Sequence, residues 1–121
     1  MKTILVVDDQ SEIRKLMRLT LRKSFLIQEA ENADFAFKLI QSNPPSAVLL
    51  DVMMPGQLSG YELCERIKNN PKLSGIYVVL VSAHGHVIEQ ELGRSLGADA
   101  YFVKPFSPHK LEQHLLEALT N

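Results

Sequence analysis

The chain has 121 residues, of which 45% are hydrophobic, and its formal net charge is −1. That length fits one domain with a core of its own, and that charge excludes a global field drawing the chain to nucleic acid. A single cysteine excludes an internal disulfide, and the opening MKTILVVDD holds only the four apolar residues Ile4 to Val7, too few for a signal-peptide core or a membrane span. The expectation is one domain over residues 1–121, soluble and cytoplasmic.

Short apolar runs alternate with amphipathic segments along the whole chain. ILVVDD, Ile4 to Asp9, begins as a continuous apolar run, the pattern of a strand covered on both faces. Ser11 is expected to cap a helix with Ile13, Leu16, Met17, Thr20 and Leu21 on one face. FLIQEA, Phe25 to Ala30, reads as a less apolar strand nearer an edge of the sheet. Ala33, Ala36, Leu39 and Ile40 mark the next helical face, stopped by Asn43-Pro44-Pro45. AVLLD, Ala47 to Asp51, is the third strand, and Leu63, Cys64 and Ile67 mark a third helix that Asn69-Asn70-Pro71 ends. IYVVLVS, Ile76 to Ser82, is the fourth strand. A fourth helix runs from about Val87 to Leu96, with Gly97 as its C-terminal cap. AYFVK, Ala100 to Lys104, is the fifth strand. Ser107-Pro108 then supplies an N-cap and a first-turn proline to a last helix lined by Leu111, Leu115 and Ala118.

Five such alternations call for a doubly wound parallel sheet with helices on both faces. Ligands of such folds lie beyond the C-terminal ends of the strands, so the strand-end residues carry the functional question. They are Asp8-Asp9, Asp51, Ser82 and Lys104. If the first and third strands are neighbours, three carboxylates converge, and their repulsion calls for a cation. Oxygen donors with room for water suit Mg²⁺. A cation, a lysine and a hydroxyl together would hold a phosphoryl group, and an aspartate beside them can be its acceptor. Taken singly, each of these residues fits a solvated strand end. The force lies in all of them falling at one end of different strands.

The residues Asp8-Asp9, DVMMPG around Asp51, Ser82-Ala83, and GADAYFVKPF from Gly97 to Phe106 resemble those of the receiver domains of two-component response regulators. The likeness spans essentially the whole chain. It implies a flavodoxin-like, five-stranded parallel sheet of order 2-1-3-4-5 with five helices. It implies that Asp51 is the phosphoacceptor, and that Asp8, Asp9, Asp51 and the Met53 carbonyl hold Mg²⁺, Asp9 more directly than Asp8. It gives Lys104 the phosphate-binding role, with a cis bond to Pro105, and makes Ser82 and Tyr101 the switch pair. The implied function is Mg²⁺-dependent transfer from a phosphohistidine to Asp51 with later self-dephosphorylation, read out on the surface of the fourth helix, fifth strand and fifth helix. The implied donor is a sensor histidine kinase or a histidine phosphotransfer protein. The downstream effector or output domain stays open, a phosphorylation-dependent homodimer fits, and neither nucleic acid nor membrane is contacted directly. The domain would be a switch and not an enzyme with a separate substrate.

One departure from the commonest pattern stands beside the site: Gly56-Gln57-Leu58-Ser59 lengthen by one residue the loop between Pro55 and Gly60. The resemblance also implies that Met53 and His84, two past Asp51 and two past Ser82, flank the path of the attacking water; methionine cannot orient water by hydrogen bonding, so slow self-dephosphorylation is expected. His84-Gly85-His86 lacks a third ligand for a transition metal. Cys64 reads as a buried small hydrophobe. Arg14, Arg18 and Arg22, with Lys15 and Lys23, form a basic stripe whose default reading is a solvated helix face and whose functional reading is kinase docking. Three other functions are weaker. An interaction module indifferent to phosphate would not need the acidic pair, Asp51, Ser82 and Lys104. A flavin-phosphate site would not place DDQSE after the first strand. An aspartate-nucleophile phosphatase would space its two carboxylates two residues apart.

Overall fold

The computed structural model describes residues 1–54, 56, 58–83 and 85–120. The elements in chain order are β1 (Thr3–Val7), α1 (Ser11–Leu21), β2 (Leu26–Ala30), α2 (Ala33–Ser42), β3 (Ala47–Asp51), α3 (Gly60–Asn69), β4 (Tyr77–Ser82), α4 (Val87–Ser95), β5 (Ala100–Val103) and α5 (Pro108–Ala118). The five strands form one parallel sheet of order β2-β1-β3-β4-β5, the flavodoxin-like arrangement expected. β2 is an edge strand, and the order reverses between β1 and β3.

Alternation along the strands divides the core in two. Ile4, Val6, Ala47, Leu49, Val79 and Val81 pack with Met17 and Leu21 of α1 and Leu111 and Leu115 of α5. Leu5, Val7, Val48, Leu50, Val78 and Leu80 face the other way, against Ala33, Ala36 and Ile40 of α2 and Leu63, Cys64 and Ile67 of α3. The three central strands are therefore apolar at nearly every position, because both their faces are covered.

The caps follow from the side chains present. Asn32 accepts from Phe35 N–H, Ser59 and Glu62 form a reciprocal capping box, and Ser107 accepts from Lys110 N–H ahead of Pro108. Gly97 has φ +98°, the left-handed conformation a helix end favours in glycine. Two expectations need correction. Ser11 is the first helical residue of α1 rather than its cap: Gln10 holds that place, and its N–H donates to Asp8 Oδ1 at 2.9 Å. The carboxylate of Asp8 thus sets where α1 begins. Leu16 is exposed, so the buried stripe of α1 narrows to Met17 and Leu21 with Ile13 half-buried.

At the end of the sheet away from the aspartates, Lys68 of α3 works as a clamp. Its Nζ donates to the carbonyls of Ser74 and Ile76 and pairs with Asp99 Oδ2 at 2.8 Å. Asp99 Oδ2 also accepts from Val78 N–H, and Gly97 lies against the Lys68 stem, where a Cβ would come within 2.8 Å of Lys68 Cγ.

Candidate functional site

The register pairs Val7 of β1 with Leu50 of β3, so Asp8, one residue beyond β1, lies beside Asp51 at the end of β3. Asp8 and Asp51 are buried and Asp9 is exposed, and one carboxylate oxygen from each lies within 4.8 Å of the others. Three acidic side chains so close are stable only with positive charge among them. Part of that charge comes from the loop after β5: Lys104 Nζ is 3.3 Å from Asp8 Oδ2 and 3.4 Å from Asp51 Oδ2. The loop is fixed by Lys104 N–H donating to the Ser82 carbonyl at 2.7 Å, and the Lys104–Pro105 bond is cis.

The electrostatics follow from burial and from these pairs. Burial pushes the Asp8 carboxyl above its ordinary pKa; the Gln10 N–H opposes this, and the charge of Asp51 adds to it. Burial lowers the Lys104 pKa, but the charges of Asp51 and Asp8 outweigh it and hold the ammonium above its ordinary value. One ammonium shared by two carboxylates leaves the cluster with net negative charge. Its donors are hard oxygens, which fit a small divalent cation better than a thiophilic metal.

Each remaining site residue has a definite place. Asp51 Oδ1 accepts from Met53 N–H at 2.8 Å, and Met53 itself is exposed. Ser82 is fully buried at the end of β4, one residue past Val81, which pairs with Asp51. Tyr101 pairs with Leu80 on the neighbouring strand, and its hydroxyl lies 3.5 Å from that of Tyr61. Gly60 opens α3 against the end of β3, so close that a Cβ there would stand 2.6 Å from the Asp51 carbonyl oxygen. Pro55 and Gln57 of the lengthened loop, and His84, lie outside the described residues.

Three things escaped the sequence reading. Arg14 is not a solvated member of a basic stripe: its Nε pairs with Glu29 Oε1 at 3.2 Å and its Nη1 donates to the Asp8 carbonyl at 2.7 Å. Arg18 pairs with the other oxygen of Glu29. The only signal in the sequence was a lone acid, Glu29, in the strand next to that helix. The close approach of Gly60 and the Lys68 clamp had no local signal at all. Cys64 is buried as expected; burial pushes its thiol up to about 11.

A parallel sheet of this order that gathers aspartates and a lysine at its carboxyl edge defines a flavodoxin-like domain with an acidic site at its switch point. The family model for the response regulator receiver domain matches residues 4–116, and the chain belongs to that family. It is a receiver domain of the two-component type, a phosphoacceptor switch of the kind that histidine kinases phosphorylate. Among curated relatives it is 39% identical to histidine kinase P4 of Formosa agariphila over 98% of this chain and 9% of that protein. It is 38% identical to the phosphate regulon transcriptional regulatory protein PhoB of Pseudomonas aeruginosa, over 98% of this chain and 52% of that one. The chain thus spans about half the length of these relatives or less. Among solved structures, the beryllofluoride-activated receiver domain of DrrB from Thermotoga maritima superposes with a TM-score of 0.90 at 29% identity, covering 98% of this chain and 97% of that one. No helix among the described residues is long and apolar enough to cross a membrane.

Proposed function

We propose that Asp51 accepts a phosphoryl group from a phosphohistidine on a sensor histidine kinase or a histidine phosphotransfer protein. The observation that carries this reading is the sharing of Lys104 between Asp8 and Asp51 within a three-carboxylate cluster. The reacting carboxylate is buried yet held ready by Met53 N–H and Lys104. A carboxylate attacks through an oxygen without giving up a hydroxyl proton, so no general base is needed. An Asp51 oxygen forms a bond to phosphorus as the phosphorus–nitrogen bond of the donor breaks, and the leaving imidazole nitrogen keeps the electron pair and takes a proton from solvent. Lys104 is placed to turn its ammonium from the carboxylates to the incoming phosphoryl oxygens. Asp8, Asp9, Asp51 and the Met53 carbonyl would hold Mg²⁺, which when bound supplies the positive charge that lets an anionic donor approach the acidic cluster. Hydrolysis by water later returns Asp51, and the domain has no other substrate.

Beside Lys104, a mostly apolar groove of about 390 Å³ runs between α1 and the loop after β5, lined by Ile13, Leu16, Met17, Pro105, Phe106 and Pro108. It supports donor docking on this side. Readout falls to α4, β5 and α5. Ser82 moves to the phosphoryl group, Tyr101 turns toward the space Ser82 leaves, and the surface bearing Val87, Ile88 and Leu92 changes shape. Those three side chains, 73%, 82% and 44% exposed, support that face as the contact for an effector, an output domain or a second copy. Residues 1–121 act in this reading as one receiver domain in the cytoplasm, without direct contact to nucleic acid.

Incubation with acetyl phosphate, with and without Mg²⁺, followed by intact mass measurement tests the chemistry. A single phosphoryl adduct that needs Mg²⁺ and vanishes in Asp51→Ala is expected. An adduct that survives Asp51→Ala, or forms equally in chelator, overturns the proposal.

A further inference from the structure

We infer that Arg14 is a positioning residue for the acidic cluster: braced by Glu29, it fixes the peptide plane that joins Asp8 to Asp9 and so sets the spacing of their carboxylates. The inference rests on the proposed divalent-cation site. The carbonyl that Arg14 Nη1 contacts at 2.7 Å belongs to the Asp8–Asp9 peptide unit, which is planar and rigid. Holding its oxygen fixes the direction in which the chain leaves Asp8, and with it the point from which the Asp9 side chain starts. Asp8 is anchored at its other polar atoms too. Its N–H donates to the Ala30 carbonyl at 3.1 Å, Oδ1 accepts from Gln10 N–H, and Oδ2 accepts from Lys104. The exposed Asp9 has its backbone set from that anchored neighbour, and the carbonyl contact of Arg14 closes the set.

Arg14 can serve as such a strut because it is itself held. Its side chain is only 17% exposed, and Nε binds Glu29 Oε1 while Nη1 reaches the carbonyl, two directions that a planar guanidinium serves at once. Glu29 stands in β2, paired in register with Val6, two residues before Asp8, so the brace is built on the sheet rather than on a loop. Glu29 also offsets the charge of Arg14. That keeps the guanidinium on a carbonyl instead of on the carboxylates that a cation would use.

Charge and geometry make opposite forecasts, which makes the inference testable. If Arg14 mattered only as a nearby positive charge, Arg14→Ala would tighten cation binding and Arg14→Lys would leave it unchanged. A strut makes both variants bind more weakly. The experiment is titration with MgCl₂ at fixed ionic strength, following the amide resonances of residues 8–10 and 51–53, with the rest of the spectrum reporting that each variant is folded. Arg14→Ala is expected to weaken Mg²⁺ binding about tenfold, the usual scale for loss of a group that orients metal ligands. Arg14→Lys, which keeps the charge but loses the fork, is expected to weaken it about threefold. Wild type that binds Mg²⁺ while either variant binds equally or more tightly overturns the role of Arg14 and leaves the site standing. Wild type that fails to bind Mg²⁺ overturns the site itself, and the role of Arg14 with it.

Discussion

Gly60→Ala is the sharpest test of how the site is supported. The added Cβ would lie 2.6 Å from the Asp51 carbonyl oxygen and 2.7 Å from Val52 Cα, closer than carbon atoms sit in folded proteins. Both atoms are backbone, so no side chain can swing aside. Overpacking of this kind costs about 1–3 kcal/mol. The gain from alanine over glycine at the first position of a helix recovers a few tenths of that at most. With an unfolding entropy near 2.1 cal/mol/K per residue, 121 residues convert the cost to a fall in Tm of about 4–12 °C. The strain is applied to Asp51, the proposed acceptor, so phosphorylation by acetyl phosphate should slow even at temperatures where the variant is folded. Gly75 supplies the control, because a Cβ there meets nothing within 4 Å. Gly75→Ala should be neutral or stabilising by up to about 1 kcal/mol through the unfolded chain. Thermal unfolding followed by circular dichroism decides it. A Gly60→Ala variant that melts with wild type, or a Gly75→Ala variant that falls as far, refutes the close-approach argument.

Other outcomes follow from the charges and the core. The raised pKa of Asp8 means that its contribution to stability is complete below the unfolded value of 3.8 and is lost as pH rises through the folded value. In chelator, wild type should therefore lose stability relative to Asp8→Asn as pH climbs from about 4 toward neutrality, and parallel melting curves would contradict this. Asp9→Ala should raise the melting point in chelator and remove most of the stabilisation by millimolar Mg²⁺; a wild-type melting point indifferent to Mg²⁺ tells against the site. Cys64, pushed from 9.0 to about 11, has on the order of a hundredfold less thiolate than an ordinary cysteine at pH 8. Iodoacetamide should label it in urea but hardly at all in the native state, and equal rates would contradict its burial. Met53→Asn should shorten the lifetime of the acyl phosphate, since an amide can orient water; a time course showing equal or slower loss counts against that role.

The sheet was legible because its strands are unlike anything else in the chain. ILVV, AVLL and YVVLV are apolar at every position, and only strands covered on both faces require that. The site was legible for a related reason. A polar residue at the end of such a run is conspicuous, and Asp8, Asp51 and Ser82 each stand there. What the sequence hid are contacts between side chains and backbone far apart in the chain. Arg14 looked solvated because helical spacing says which face a residue shares but not that a strand acid, fifteen positions on, will meet it. Leu16 looked buried because its spacing suited the stripe, but Met17 and Leu21 already fill the space over the sheet. Gly60 could be ranked above the other glycines only once the end of β3 was seen to lie against it.

The Lys68 clamp gives α4 the mechanics of a lever. Its C-terminal end is pinned, with Gly97 lying on the Lys68 stem and Asp99 tied to both Lys68 and Val78 N–H. Near that same end Gly93 rests on Leu80 and Tyr101, where a Cβ would come within 2.8 Å of Leu80 Cδ1, so the last turns of the helix are seated on the sheet. Its far end carries Val87 and Ile88 into solvent, just beyond the strand that ends in Ser82. A bar held at one end moves most at the other. A small displacement of the loop after β4 would therefore appear as a large one at Val87 and Ile88 and almost none at Ser95. Loosening the pivot, as in Lys68→Met, would let the whole bar slide and would spend the same displacement along its full length.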